Sequence, residues 1–374
     1  MKIGLLTAGS DSPGENAAIR GFGKAVSNFK NVELIGFRDG FTGLLENRTI
    51  DLLQEGRLSG ILTEGGTILG TSRLIPEAMR VGNELVDNTE LVIEQYQKNR
   101  LDALVCIGDK STQATAYRLS QAGLNIITMP RSAENDVPFT DKCIGFDSAR
   151  EIATQAIDRL HTTANATHRI MIVELLGSAS GWLTLGAGLA AGADVILVPE
   201  IPYFFDVIIE AILRRKRAGR NFSLVAVAEK ARPRELVDFM EMAAQKKGGT
   251  VEEKEKAIEK IENNYSAQTL LLANRLEAAT DIDTHITILG PLVRGGTPTA
   301  ADRLLATQLA EWSLKMVMDG AFGQMACRKD GAMSSVPLAQ VAGKNKPVPM
   351  DHGWLRGAIQ VGTCLGCAVE SLGV

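Results

Sequence analysis

The sequence predicts an α/β protein made of two similar Rossmann-like, three-layer domains, and three stretches carry that prediction. At the N-terminus, apolar KIGLLT (2–7) runs into Ala8-Gly9-Ser10-Asp11-Ser12-Pro13-Gly14 and then into AAIRGFGKAV, which begins a helix. Strand, Gly turn and helix in that order leave free helix N–H groups facing an anion, although the same layout also serves as a purely structural turn. In the middle, two apolar strands, LDALVCIG and LNIITMP, flank a helix-like segment, and each ends in polar residues. Further on, RIMIVELL, GWLTLGAGLA, DVILVP, VIIEAILRRKRAG and FSLVAVAE repeat the alternation, the pattern of a parallel sheet covered by helices.

The central stretch concentrates the chemistry. Its first strand delivers Gly108-Asp109-Lys110-Ser111, and its second delivers Arg131, Ser132, Glu134, Asn135 and Asp136. In an open α/β sheet, ligands bind outside the carboxyl ends of the strands. Carboxylates placed there can hold a metal and take a proton, and the cations can hold phosphate. Upstream, Gly65-Gly66-Thr67-Ile68-Leu69-Gly70-Thr71-Ser72-Arg73 combines glycines, small hydroxyls and one Arg. That composition suits close backbone approach to a phosphate with Arg73 as a charged clamp; the alternative is a surface turn with a solvated Arg.

Taken in order, the remaining elements fill in the two halves. VELIGF (32–37) is a strand, and REIATQAIDRLHTTAN is a long helix with apolar residues at helical spacing. His161 and His168 flank its end with no ligand pattern beside them, which favours capping or solvated roles. The strand FSLVAVAE ends at Glu229, and residues 235–262 turn charged and helix-forming, as a solvated insertion would. Helix LLLANRLEAA, strand THITILG, the loop Pro291–Pro298 and helix AADRLLATQLAEWSLKMV follow, and a mixed tail ends the chain.

Bulk composition narrows the function classes. The 374 residues are enough for two sizeable cores, and 45% hydrophobic with 22% charged residues is ordinary for a soluble chain. A net charge of −4 gives no reason to expect nucleic-acid binding. No apolar run approaches about 18 residues, so no membrane span is expected, and MKIGLLTAG is a poor signal peptide. Five cysteines suggest reduced thiols and a cytoplasmic setting. Cys364 and Cys367 form a C-x-x-C that reads first as two small residues in a Gly-rich tail, with a redox switch or half of an intersubunit metal site as alternatives.

The motifs AGSDSPGENAAIRG, GGTILGTSR, IGDKS, PRSAEND, GFDSA, VELLGSASGWLTL, GADVILVPE, VAVAE and LGPLVRGGTPTAADR occur in one order. That ordered set resembles the phosphofructokinase family from first strand to last helix, and the C-terminal segment resembles bacterial and cyanobacterial members of the group that mixes ATP- and pyrophosphate-dependent enzymes. The resemblance implies two α/β domains with the active site in the cleft between them. Residues 1–140 would be the donor domain, completed by part of 300–350. Residues 141–300, with the charged helical insertion near 235–262, would bind the sugar phosphate, completed by the C-terminal segment. It also implies Mg²⁺, a donor that is ATP or pyrophosphate, and fructose 6-phosphate accepting at its 1-hydroxyl. A homodimer or homotetramer is implied too, because a neighbouring subunit usually supplies cations for the 6-phosphate.

Matched residue by residue, the family's G-G-D donor turn is here Gly9-Ser10-Asp11, and Arg73 matches its phosphate-clamping Arg. The metal-binding G-G-D-G-S or G-G-D-D-T becomes Ile107-Gly108-Asp109-Lys110-Ser111, with Asp109 as the Mg²⁺ holder and Lys110 where ATP users have Gly and pyrophosphate users Asp. The catalytic T-I-D-N-D becomes Ser132-Ala133-Glu134-Asn135-Asp136: Glu134 takes the general-base position, and Arg131 before it resembles the Lys of pyrophosphate users. On the sugar side, Arg169, Glu229 and Arg294 match family contacts. M-G-R becomes Leu176-Gly177-Ser178, the Arg of E-T-R becomes His285, and the His of L-G-H becomes Pro291. Two Arg and one His are thus replaced around a doubly charged phosphate. Three readings follow: a phosphofructokinase-type phosphotransferase, a kinase for a less anionic sugar or polyol, and a catalytically weak or inactive paralogue serving an active phosphofructokinase as a partner subunit.

Overall fold

The computed structural model describes residues 1–82, 84–178, 180–245, 258 and 267–373. The chain forms two compact units, Met1–Ala149 with Val293–Lys346, and Arg150–Leu292 with Pro347–Val374.

The first unit begins with β1 (Lys2–Ala8), α1 (Glu15–Val26), β2 (Glu33–Phe37), α2 (Phe41–Leu45) and β3 (Thr49–Asp51). A small hairpin of β4 (Met79–Val81) and β5 (Glu84–Val86), α3 (Thr89–Lys98), β6 (Ala103–Gly108), α4 (Lys110–Gln121) and β7 (Ile126–Pro130) follow. Apolar runs such as ALVCIG and IITMP are buried on every residue, as strands covered on both faces must be. Helix α5 (Phe146–Thr167) carries the chain out of this unit. The second unit contains β8 (Ile170–Leu175), α6 (Trp182–Ala190), β9 (Val195–Leu197), α7 (Phe205–Arg217) and β10 (Ser223–Ala228). After α8 (Arg234–Gln245) the helix Gln268–Thr280 leads to β11 (Thr284–Ile288). Of the charged insertion expected near 235–262, only its start, in α8, and residue 258 fall among the described residues. The helix Ala300–Met318 then returns the chain to the first unit, where β12 (Gln324–Lys329) and β13 (Ala332–Pro337) complete the sheet.

The first unit's sheet has the order β13-β12-β7-β6-β1-β2-β3. Its five inner strands are parallel, with an antiparallel strand at each edge. One face packs Ile3, Leu5, Val105, Ile107 and Ile127 under α1 and Ala300–Met318. The other packs Leu6, Leu104, Cys106 and Ile126 against Phe41, Val92, Ala116 and Leu119 of α2, α3 and α4. The three layers predicted for this half are present. The second unit has an all-parallel sheet, β11-β8-β10-β9, and its edge β9 is extended by a parallel bridge from Val195 to Cys364. The chain after Met318 therefore contributes twice, through the β12–β13 hairpin and, from within the mixed tail, through this bridge. The hairpin turns at Asp330 and Gly331, both at positive φ, the Asp-Gly signature of a tight β-turn.

Candidate active site

In the first unit, β1 feeds β2 on one side while β6 feeds β7 on the other. The carboxyl ends of β1 and β6 thus mark the point where strand order reverses, the place where such sheets bind ligands. Gly9 follows β1 with φ +92, and a Cβ on it would lie 2.1 Å from Asp109 Oδ2. Only glycine meets both conditions. The Ser10 N–H donates to Asp109 Oδ2 at 3.1 Å. Gly9 is also tied to the Gly65–Arg73 segment: its N–H donates to Ser72 O at 2.8 Å, and Thr71 Oγ1 donates to Gly9 O at 3.0 Å. These bonds bring Arg73 alongside the turn, exposed to solvent. A Cβ on Gly65 would meet Gly296 O at 2.2 Å, so the 294–296 loop packs on the same segment. There Arg294 Nη1 stands 3.2 Å from Asp11 Oδ1. The Arg expected on the sugar side is thus held against the donor turn.

Asp109 caps α4. Its Oδ1 accepts from Ser111 N (3.1 Å), Ser111 Oγ (2.6 Å) and Thr112 N (3.3 Å). Burial alone would raise its carboxyl, but the Arg131 charge and the hydrogen bonds from Ser111, Ser10 and Thr112 outweigh it and hold the group below the usual range. The ionised form is the one a metal needs. Oδ1 is saturated, so Oδ2 keeps the remaining capacity. No cluster of three acidic, His or Cys side chains suitable for a metal occurs among the described residues. A donor set of one carboxylate fits Mg²⁺ carried in on substrate phosphates, which commonly uses one or two carboxylates and water.

Arg131 does not lie where a donor phosphate can reach it. Its side chain is fully buried, with Nε 2.7 Å from Glu15 Oε1, Nη2 donating to Ala8 O at 2.5 Å, and Nη1 3.8 Å from Asp109 Oδ2. Nη1 also reaches Ser10 Oγ at 3.4 Å, so the Ser10 hydroxyl is turned inward. A phosphate-gripping role for Arg131 is therefore corrected to an internal one: its charge answers two carboxylates behind the turn. Glu15, wholly buried on α1, has its pKa pushed up by burial to about 7 although Arg131 and the Ser12 N–H pull it down. The motifs assign Glu15 no role, although a carboxylate in the apolar first turn of α1 is a visible oddity in the sequence.

The catalytic loop leaves β7 and folds on itself. Ser132 Oγ donates to Asp136 Oδ1 at 2.5 Å and accepts from the Glu134 N–H at 3.1 Å. Asp136 is nearly buried, and its Oδ2 lies 2.9 Å from Lys110 Nζ. Ser132, Glu134, Asp136, Lys110 and Asp109 are thus gathered at the ends of two adjacent strands, as the spacing suggested. Glu134 is half-buried in that group.

The second unit keeps its expected sugar-side residues apart. Leu176, Gly177 and Ser178 follow the carboxyl end of β8, and Glu229 follows β10, its N–H donating to Leu175 O at 2.9 Å. A cavity of about 610 Å³ opens at that end, lined by Glu174, Glu229, Lys230, Gln268, Thr269 and Ile286. Arg169 stands at the opposite end of β8, next to Asp283 at 3.5 Å. His285 is exposed on edge strand β11, in register with Met171. The strands separate these two clusters, so one chain does not bring Arg169 and His285 to Glu229.

A family model described as Phosphofructokinase matches residues 2–317. The chain belongs to the phosphofructokinase family. It is therefore a kinase-type phosphotransferase. Among curated relatives, an ATP-dependent 6-phosphofructokinase of Propionibacterium freudenreichii is 48% identical, covering 98% of this chain and 99% of the relative. One of Spirochaeta thermophila is 43% identical, covering 98% of each. The fold is shared with solved structures. A pyrophosphate-dependent phosphofructokinase from Marinobacter aquaeolei gives a TM-score of 0.77 at 21% identity, over 97% of this chain and 92% of that one. Phosphofructokinase from Saccharomyces cerevisiae gives 0.71 at 27%, over 91% of this chain and 45% of that one. No helix among the described residues is long and apolar enough to cross a membrane.

Proposed function

We propose that this protein transfers a phosphoryl group from ATP to the 1-hydroxyl of fructose 6-phosphate with Mg²⁺. The observation that carries the reading is the joint placement of Asp109, Ser132, Glu134 and Asp136 at the reversal point of the donor sheet, with the Gly9–Asp11 turn and Arg73 beside them. Transfer of this kind depends on positioning and charge neutralisation around a loose transition state. The turn and the first helix N–H groups cradle donor phosphate, and Arg73 clamps it. Asp109 would hold Mg²⁺ arriving with the donor, and that ion would supply charge neutralisation on the donor phosphates. Glu134 takes the proton of the acceptor hydroxyl as general base, and Ser132 and Lys110 fix the Asp136 carboxylate beside it. ATP is the donor named for the curated relatives.

A second reading, pyrophosphate as donor, is favoured by Lys110, whose ammonium at the first turn of α4 suits a short polyanion. On the sugar side, Glu229 holds the acceptor at the open end of the second unit. Arg169 and His285, at the far end of the same sheet, would serve the acceptor of a second copy in a homodimer or homotetramer. The test is phosphoryl transfer to fructose 6-phosphate with Mg²⁺, from ATP and separately from pyrophosphate, beside an Asp109→Ala control. Turnover with one donor that disappears in the control supports the reading and names the donor; no turnover with either overturns it.

A further inference from the structure

The segment Lys344-Asn345-Lys346, the last of the first unit, lies on the catalytic loop although it is more than 200 residues away in the chain. Asn345 Oδ1 accepts from Lys110 Nζ at 2.6 Å, the same ammonium that meets Asp136 Oδ2 at 2.9 Å. The Lys346 N–H donates to Asp136 O at 3.1 Å, and its ammonium donates to Thr140 O and Asp141 O at 2.7 Å each. Lys344 sits 5.6 Å from the centroid of the Phe139 ring. The loop under this segment carries two non-glycine residues at positive φ, Asn135 (φ 54) and Phe139 (φ 63). For a bulky residue such as Phe this conformation is unfavourable, and it persists where surrounding contacts fix it.

We infer that Asn345 is a donor-positioning residue: with Asp136 it holds the Lys110 ammonium in one place, leaving its third N–H for a donor phosphate, while Lys346 fixes the loop that carries Asp136. An ammonium has three donors, and two are taken by Asp136 and Asn345. A flexible four-carbon arm without the second anchor loses its fixed direction and must be ordered by the donor itself. Asn345 is exposed, so its replacement leaves the core untouched. The inference rests on the donor-end reading above and adds to it a residue and a selectivity, because one fixed ammonium matters more to a compact polyphosphate than to a nucleotide with many other contacts.

The experiment is a double-mutant cycle of Asn345→Ala and Lys110→Met. Asn345→Ala is expected to raise the KM for the phosphoryl donor about tenfold while kcat stays within about twofold, and to have no further effect when Lys110 is already Met. Asn345→Asp, which keeps an acceptor oxygen, is expected to hold a Lys110-dependent KM. Additive effects in the double variant, or a fall in kcat with KM unchanged, would overturn the inference. If the wild-type protein shows no transfer, the same cycle is read by calorimetric binding of Mg²⁺–pyrophosphate and Mg²⁺–ATP. Binding weakened by Asn345→Ala only when Lys110 is present supports the inference, and equal binding by all four proteins, or none by the wild type, sinks it.

Discussion

The end of the first unit proposed to bind the donor and the end of the second proposed to bind the acceptor are both carboxyl ends of parallel strands, yet they are built differently. At the donor end nearly every polar group has a partner: Asp109 accepts four hydrogen bonds, Arg131 meets Glu15, and Asp136 is held by Ser132 and Lys110. At the carboxyl end of the second sheet there is an open cavity with Lys230 and exposed Ile288 in its lining, while Arg169 stands at the opposite end of the strands. A phosphoryl donor brings charge that must meet a fixed geometry, so the groups receiving it are held before it arrives. Under the proposed function a second copy would complete the acceptor's phosphate site, so one chain would need to supply less of it.

The largest expected effect tests the rigid end. Asp109→Ala removes the proposed metal holder and the α4 cap together, and kcat/KM should fall about a thousandfold in a coupled transfer assay; a fall under tenfold would detach Asp109 from the chemistry. Next comes Glu15→Ala, which strands a buried guanidinium. Stability in urea should drop by about 3–5 kcal/mol, while the paired replacement Glu15→Leu with Arg131→Met should recover most of it. If the single change is silent, the dense bracing of this end is not what holds the turn.

The same pair gives a pH signature. Burial pushes the folded Glu15 carboxyl up to about 7 from its ordinary 4.5, so the folded protein binds one more proton between those values. The stability from neutral Glu15 is complete below about 4.5 and is lost as pH rises through about 7, a change on the order of 3 kcal/mol. Urea midpoints should therefore decline from pH 5 to pH 8 in the wild type, and this part of the slope should vanish in Glu15→Gln. The smallest effect belongs to the open end: His285→Arg restores a fixed cation and should lower the KM for fructose 6-phosphate about tenfold, leaving the donor KM alone. A change in donor KM instead would show that the two ends are not independent.

Most of the donor end is legible in the sequence. Gly9, Asp109 and the 131–136 loop stand at strand ends because apolar runs mark where parallel strands stop, and polar chemistry gathers there. Arg131 is legible as a cation but not as a buried one, since a long side chain can turn toward solvent or toward a carboxylate that only packing brings near. Its partner Glu15 lies 116 positions earlier. The same holds for Arg294, which meets Asp11 rather than the sugar side. The Asp330-Gly331 hairpin is the opposite case: its turn signal is local, but the two residues lie in a short stretch between a long helix and the mixed tail, where the flanking strands alternate only weakly.

The sequence by itself determined the α/β architecture, the order of strand and helix, and the family, because hydrophobic periodicity and motif order are local properties of the chain. Tertiary structure alone decided which partner each charge takes. Asn345 reaches Lys110 across 235 positions, and Arg169 and His285 stand a strand's length from Glu229. Such pairings follow from sheet register and from where the chain crosses back, and several acidic groups compete for each cation until packing removes all but one.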